Sequence, residues 1–351
     1  MKNICDVVEN WWDYYLVKYG LRGKTALILK TKPDQITTNW DRYIFKRIKG
    51  KLKVIFRLIK ENRIEYDNKS DTMVIYCQDK KIKKKLQLNI EVVENIERIL
   101  NVCGDFEEYS NDLFIVEIVT GIKFLIRKNI GSDFLALEKG FLKNEYDALY
   151  PLLKGSIVLD IGGYICDSSI MFCMRGAKKV YVYEPHPILY KIALMNVKLN
   201  KLVDKIDIKN YGVGKEESNS YVKEDKEHAA TSSFGLHECP NGKEIMIKIK
   251  PLQTIIEEID KIDVMKMDCE GAEFDAILSC PYAYLKKIKI IIIEYHANPF
   301  RLIDYFEKAG FEVQIKKENR NMPTLIGILF ASQKEYINLT KQEELKTFNK
   351  N

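Results

Sequence analysis

The chain has 351 residues, of which 46% are hydrophobic and 30% are charged, and its formal net charge at pH 7 is +6. This length suffices for one large domain or two ordinary domains with a buried core. The modest positive charge permits an anionic partner without requiring one. Uninterrupted apolar runs such as Ile290 to Ile293 are far shorter than the ~20 residues that cross a bilayer, so no membrane-spanning helix is predicted.

The cysteines and the first residues indicate the compartment. Eight cysteines are scattered without a C-x-x-C pair, so neither a zinc site nor a disulfide framework is indicated. Acidic residues interrupt the start, MKNICDVVENWW, where a signal peptide would be apolar. We therefore expect a protein of the reducing cytoplasm. Its oligomeric state is not indicated.

Residues 1–110 are predicted to form a small accessory α+β region of unknown role. A helix is expected over Val7 to Tyr19 and another over Val92 to Val102. The predicted strands between them are Leu52 to Ile59, Ile64 to Tyr66, Met73 to Cys77 and Leu86 to Ile90. The run KKIKKK, Lys80 to Lys85, is interpreted as a solvated turn, although such a run can also bind the phosphates of RNA.

Residues 111–333 are predicted to form the main domain, followed by a polar tail over residues 334–351. A hairpin is expected at its start, with strands Leu113 to Val119 and Ile122 to Ile126. Strands and helices then alternate, which predicts a doubly wound α/β sheet. The predicted sheet strands are Ile157 to Ile161, Val180 to Tyr183, Ile206 to Lys209, Val264 to Met267, Ile288 to Tyr295, and a closing pair, Phe311 to Ile315 and Leu325 to Phe330.

The loop after the first sheet strand predicts a ligand site, because ligands of such sheets lie at the carboxyl ends of the strands. Gly162 and Gly163 are followed by Tyr164 and not by the further glycines of a dinucleotide fingerprint. Asp160 places a carboxylate at the mouth, which repels phosphate and attracts a cation. Glu184, at the end of the next strand, can accept hydrogen bonds from both hydroxyls of a ribose. A ligand with a ribose, a positive charge and no phosphate fits, and S-adenosylmethionine has these properties.

Two further segments are expected near this ligand. Asn210 or Tyr211 follows the third strand and is expected beside the adenine, although an ordinary turn explains the same residues equally well. Residues Lys215 to Lys243 are polar and without periodicity, and we interpret them as a substrate lid.

A second group of polar side chains follows two later strands. Asp268 ends one strand, and Glu270 and Glu273 stand in or near the first turn of the next helix, where acids are also stabilised simply by the helix dipole. His296 follows the next strand, and its ordinary pKa near 6.5 suits it to take a proton from an alcohol. We predict that these four residues are catalytic and surround the acceptor. No resident metal is predicted, although the carboxylates are of a type that binds Mg²⁺.

Four sequence blocks together resemble one family. VLDIGGYICDSS, VYVYEPHP, KMDCEGAEFDAIL and IEYH resemble the FkbM-type S-adenosylmethionine-dependent methyltransferases, in a form common among archaea. The resemblance covers roughly Leu113 to Phe330. It implies a class I methyltransferase sheet, Rossmann-like with a reversed last strand, and methylation of a hydroxyl on a sugar, lipid or natural product. It also places the E-P-H-P block, with Pro185 and His186, beside the cofactor. Cys166 stands where the family normally has a loop glycine.

Two other classes of function remain as alternatives. The chain could bind or methylate RNA through its basic N-terminal region, although nucleic acid is the less favoured partner because no aromatic residues interleave with the lysines. It could also be a non-catalytic methyltransferase fold that mediates assembly. A small-molecule or glycan hydroxyl is the preferred acceptor.

Overall fold

The structure is a computed structural model, and it divides into two compact units, Met1–Glu138 and Lys139–Asn351. The residues that it describes are 24–29, 36–41, 57–58, 61, 63–67, 72–77, 82–87, 97–110, 113–118, 120–127, 131–223, 244–317 and 326–336. The predicted helix Val7 to Tyr19, most of the predicted lid and nearly all of the polar tail lie outside these residues. The predicted functional boundary near residue 110 falls inside the first unit and stays a prediction.

The first unit contains three antiparallel sheets, β1-β2, β3-β4-β5 and β6-β7-β8. Its strands are β1 Lys24–Leu29, β2 Ile36–Asp41, β3 Ile64–Asp67, β4 Thr72–Cys77, β5 Ile82–Gln87, β6 Cys103–Ser110, β7 Leu113–Ile118 and β8 Lys123–Arg127. The rings of Phe106 and Phe114 pack edge to face at 5.4 Å. Asp133 is fully buried and forms a 2.6 Å ion pair with Arg127, which satisfies its charge.

The structure confirms part of the N-terminal prediction and corrects the rest. The predicted hairpin corresponds to β7 and β8, and residues 97–102 are helical as expected. Arg57 and Leu58 are helical, so the predicted strand Leu52 to Ile59 is wrong there. The basic run is not a turn throughout, because Ile82 begins β5 and pairs with Cys77 of β4. Strand pairing thus overrides the turn signal of consecutive lysines.

The second unit is built on a seven-stranded sheet with the order β11-β10-β9-β15-β16-β18-β17. The strands are β9 Ile157–Ile161, β10 Lys179–Tyr183, β11 Ile206–Lys209, β15 Ile262–Met267, β16 Ile288–Tyr295, β17 Glu312–Lys317 and β18 Gly327–Ser332. β18 runs antiparallel to both of its neighbours, whereas the other recorded pairings are parallel. This order with one reversed strand confirms the predicted class I methyltransferase fold.

Helices accompany the sheet, and a smaller sheet precedes its fourth strand. The last helix of the first unit is α1 Gly131–Leu137, and a π-helical segment, Glu138–Leu142, follows it. The helical segments that come later in the chain are a 3-10 turn Asp147–Leu149, α2 Tyr150–Leu153, α3 Asp167–Met174, α4 Pro187–Leu199, α5 Leu252–Glu258, α6 Glu273–Ser279, α7 Tyr282–Leu285, α8 Phe300–Lys308 and a 3-10 turn Lys334–Tyr336. The smaller sheet has the order β12-β14-β13, with β12 Gly212–Gly214, β13 Ser218–Lys223 and β14 Glu244–Pro251. The predicted lid is therefore wrong for Ser218 to Lys223, which pair with β14.

The core lies against the middle strands of the large sheet. Every residue of β15 is buried, and Ile290 to Ile293 of β16 are at most 1% exposed. Strands covered on both faces need such nearly continuous apolar runs, which explains why the alternating pattern of a half-exposed strand is absent from them. Among the described residues, no helix combines the length and the apolar character needed to cross a membrane.

Candidate active site

The loop between β9 and α3 can be built only with glycine at its first position. Gly162 has a φ of +77°, and a Cβ there would lie 1.7 Å from the backbone oxygen of Asp268. A Cβ on Gly163 would lie 2.1 Å from a methyl carbon of Val182. The amides of both glycines donate to the Tyr183 carbonyl, at 2.9 and 3.1 Å. The loop is therefore pressed against the ends of the two strands that flank β9.

The rest of this loop uses left-handed backbone conformations at non-glycine residues. Tyr164 has a φ of 48° and Cys166 a φ of 63°. Glycine adopts such angles with less strain, so the backbone of the loop is strained at both residues. Helix α3 begins at Asp167 with Cys166 as its N-cap residue.

Asp160 is in β9, two residues before Gly162 of the glycine loop, and its contact with a ligand stays a prediction. Its carboxylate is fully buried. One of its oxygens, Oδ2, accepts hydrogen bonds from the hydroxyls of Ser168 (2.7 Å) and Ser169, and Oδ1 lies 3.2 Å from the Lys266 ammonium. The residue is thus placed to fix the loop and the start of α3. Its predicted direct attraction of a cationic ligand has no contact in its favour.

Glu184 is at the carboxyl end of β10, where the sequence places it. Its side chain is buried, and its two oxygens accept the backbone N–H groups of Tyr164 and His186, each at 2.8 Å. These two bonds orient the carboxylate. Glu184 therefore ties the glycine loop to the E-P-H-P turn and holds a carboxylate between them.

The remaining predicted cofactor residues surround Glu184. The side-chain amide of Asn210 donates to the carbonyl oxygens of Glu184 and Pro185, both at 2.8 Å. His186 is buried, and its Nδ1 accepts from the amide of Ile188 at the start of α4. Tyr211 is partly buried against the main core. Asn210 and His186 are thus engaged in shaping the turn, and their contact with a ligand stays a prediction.

The four predicted catalytic residues lie together at the ends of β15 and β16. Glu273 is fully buried, accepts the amide of Gly271 at 2.8 Å, and lies 2.7 Å from Nδ1 of His296. The other ring nitrogen of His296, Nε2, lies 3.4 Å from Glu270. Oδ1 of Asp268 is buried and accepts no hydrogen bond from any residue that the structure describes. The structure thus brings Asp268, Glu270, Glu273 and His296 into one cluster.

The charges of this cluster shift the pKa values of two of its members. Burial lowers the pKa of His296, but the hydrogen bond to Glu273 and the negative charges of Glu273, Glu270 and Asp268 outweigh it and raise the pKa to about 9. Burial and the charge of Asp268 raise the pKa of Glu270 to about 7. Shifted values of this kind are typical of acid–base sites. They mean that His296 carries a proton at neutral pH before any ligand binds.

The sequence prediction missed two residues beside this cluster. Lys266 of β15 is buried, and its ammonium donates to the Gly162 carbonyl at 2.8 Å. Tyr146 is buried, and together with Lys266, Asp268 and Glu294 it lines a small cleft. In the sequence, Lys266 is recognisable as the one charged residue of the otherwise apolar run VMKM. No sequence pattern marks Tyr146, because only the fold brings it near the carboxyl ends of the strands.

The same cluster contains a donor set for a divalent cation. Asp268, Glu270 and His296 each offer one ligand atom, and these atoms lie within 4.8 Å of one another. Carboxylate oxygens with an imidazole nitrogen suit several divalent metals. The carboxylate of Glu273 on the other nitrogen of His296 is the usual partner of a metal-bound imidazole, and equally the usual partner of a catalytic base. The geometry alone is compatible with both.

A family model matches the part of the chain that contains these residues. Residues 160–313 match the model of the methyltransferase FkbM domain. The chain carries an FkbM methyltransferase domain. The match begins at Asp160 and includes every one of the predicted site residues, from the glycine loop to His296. None of the curated proteins matches the chain in sequence.

The chain is also similar, at low identity, to several solved structures. A methyltransferase FkbM from Methylobacillus flagellatus KT shares 14% identity, with 68% of this chain and 59% of that one covered and a TM-score of 0.35. An rRNA methylase from Streptococcus thermophilus shares 11% identity over 55% of this chain and 95% of that one, with a TM-score of 0.36. TrmK of M. capricolum, in complex with S-adenosylhomocysteine, shares 15% identity over 55% of this chain and 68% of that one, with a TM-score of 0.35. At these scores the FkbM assignment rests on the family model and on the strand order.

Proposed function

We propose that this FkbM methyltransferase uses S-adenosylmethionine to methylate a hydroxyl group on a sugar, lipid or natural product. The observation that supports it most is the position of Glu184. Glu184 places a carboxylate beside a glycine loop that lacks the further glycines of a pyrophosphate site. A ligand with a ribose and no diphosphate therefore suits this site best. The family match supplies methyl transfer, and a cluster with a histidine and three carboxylates supplies the means to take a proton from an alcohol.

In this proposal the residues divide into two groups. Glu184, with the amides and turns that it organises, binds the ribose, and the adenine lies toward Asn210 and Tyr211. Asp268, Glu270, Glu273 and His296 surround the acceptor. The sulfonium of the donor already activates the methyl group, so the protein has to align an acceptor oxygen with it and exclude water. Neutral His296 removes the acceptor's proton as the new bond forms, and Glu273 holds the ring and stabilises the resulting imidazolium.

A titration with the donor tests the first group. We expect the wild-type chain to bind S-adenosylmethionine, and Glu184→Gln to weaken binding by about ten- to a hundredfold, as for the loss of hydrogen bonds to a charged group. Isothermal titration calorimetry measures this. Glu257→Gln is the matched control, because Glu257 is exposed and bonded to Tyr284; its affinity should equal that of the wild type. Wild-type protein that binds NAD and ignores S-adenosylmethionine would refute the proposal.

The metal-free form of the mechanism makes a separate prediction. We propose that His296 acts as the base, and its Nε2 cannot accept the acceptor's proton while it also binds a metal. Methyl transfer from labelled S-adenosylmethionine to a panel of hydroxyl acceptors should therefore survive dialysis against EDTA. Activity that is lost with EDTA and restored by Mg²⁺ or Mn²⁺ would assign Asp268, Glu270 and His296 to a metal instead.

A further inference from the structure

Lys266 is a buried lysine in the middle of the sheet. Its side chain is 5% exposed, and it stands on β15 directly opposite Asp160 of β9. Lysine is almost never buried unless it is paired, and an apolar side chain of similar volume commonly serves stability as well as a buried ion pair or better. Stability alone therefore gives little reason for a lysine at this position.

The contacts of Lys266 reach the glycine loop directly. Its ammonium lies 3.2 Å from Asp160 and donates to the carbonyl of Gly162 at 2.8 Å. The amide of the same Gly162 donates to Tyr183 of β10. Both polar groups of Gly162 are thus held, the amide by the strand on one side of β9 and the carbonyl by the strand on the other. The two peptide planes on either side of Gly162 are therefore each held by a hydrogen bond.

We propose that Lys266 is a positioning residue for the methyl donor. By holding the Gly162 carbonyl, it keeps the loop in the conformation whose backbone faces the donor, next to the carboxylate of Glu184. This inference rests on the proposed function, because it concerns the same cofactor. The rival explanation is that Lys266 only neutralises the buried charge of Asp160, in which case the bond to Gly162 has no effect on binding.

Removing Lys266 alone does not separate the two explanations, because Lys266→Met leaves the Asp160 carboxylate buried without its counterion. The test therefore compares Asp160→Asn with the double variant Asp160→Asn/Lys266→Met. In the single variant the Asn oxygen can still face Lys266 while its amide faces the serine hydroxyls, so the bond from Lys266 to Gly162 is kept. In the double variant both charges are gone together, and the bond is lost.

A matched pair at the other end of the sheet serves as the control. Lys289 of β16 lies 2.8 Å from Asp263 of β15, and Asp263 also accepts the amide of Ile157. Asp263→Asn/Lys289→Met removes the same two charges from neighbouring strands, away from the glycine loop. It should leave the affinity for S-adenosylmethionine unchanged.

The measurements are the dissociation constant of S-adenosylmethionine by calorimetry and the thermal midpoint of each variant. Asp160→Asn serves as the reference, and we expect the double variant to bind about ten- to a hundredfold more weakly than this reference, with a thermal midpoint close to that of Asp160→Asn. Equal affinity in these two variants would overturn the proposal, as would a loss of affinity that merely follows the loss of thermal stability. If the wild type itself does not bind S-adenosylmethionine, the proposed function fails first.

Discussion

Replacement of Gly162 by alanine is expected to abolish binding of S-adenosylmethionine. The new Cβ would lie 1.7 Å from the oxygen and 2.7 Å from the carbonyl carbon of Asp268, and a backbone group cannot move aside as a flexible side chain can. The left-handed φ adds a cost of about 1–2 kcal/mol for a residue with a Cβ, and overpacking of this kind costs about 1–3 kcal/mol more. The glycine loop and Asp268, the first residue of the DCEGAE segment, must then separate, so the loop and the cluster around Asp268 are both displaced.

We expect the affinity for S-adenosylmethionine to fall by more than about a hundredfold, since each 1.4 kcal/mol is a factor of ten. Calorimetric titration measures the fall. Gly155→Ala is the control, because Gly155 has a similar φ of +73°, but a Cβ added there would meet no atom of the described residues within 4 Å. It carries the cost of the backbone angle without the collision and should bind normally. Wild-type affinity in Gly162→Ala would mean that the glycine loop does not contact the donor.

Replacement of His296 by alanine is expected to remove catalysis while leaving the donor bound. Loss of a general base typically lowers a rate by about 10²–10⁴-fold. In the proposed function His296 faces the acceptor and Glu184 the cofactor, so the dissociation constant of S-adenosylmethionine should stay within about threefold of wild type. The turnover of labelled methyl into a hydroxyl acceptor gives the first quantity and calorimetry the second. Unchanged turnover in His296→Ala would remove this residue from the mechanism.

The pH dependence of turnover carries an independent signature of the same histidine. A base must be unprotonated to act, and the pKa of His296 is raised to about 9. Turnover should therefore rise with pH from neutrality and level off above about pH 9. Glu273→Gln removes the carboxylate that most raises the pKa, so the rise should move toward lower pH while the plateau falls. Glu270 and Asp268 also face the ring, and the measured midpoint belongs to the coupled group.

The same shift has a consequence for stability. A histidine whose folded pKa lies above its unfolded value near 6.5 stabilises the fold when it is protonated. This contribution is complete below about pH 6.5 and is lost as the pH rises through about 9. The fold is therefore stabilised by protonated His296, whereas the proposed reaction needs neutral His296. Such a conflict between stability and activity is common at active sites.

Local sequence patterns were sufficient to predict most strands of the large sheet and the polar residues at their carboxyl ends. The strands Ile206 to Lys209 and Ile288 to Tyr295 were predicted with the bounds that the structure has, because a buried parallel strand needs a short apolar run whatever surrounds it. Gly162, Glu184, Asp268 and His296 were placed at strand ends for the same local reason. The carboxyl ends of parallel strands meet at one edge, so strand order was not needed to gather them.

The contacts of these polar side chains, in contrast, depend on the tertiary fold. Asp160 and Lys266 are 106 positions apart, and Glu273 and His296 are 23 apart, so no periodicity relates them. Their pairing follows from the adjacency of β9 with β15 and of β15 with β16. That adjacency gives Asp160 a buried ion pair with Lys266, and it brings Glu273 beside His296, where it raises the pKa of the imidazole. Local pattern specifies where a strand ends, whereas the charge and hydrogen bonds of a side chain depend on neighbours that the fold brings from elsewhere in the chain.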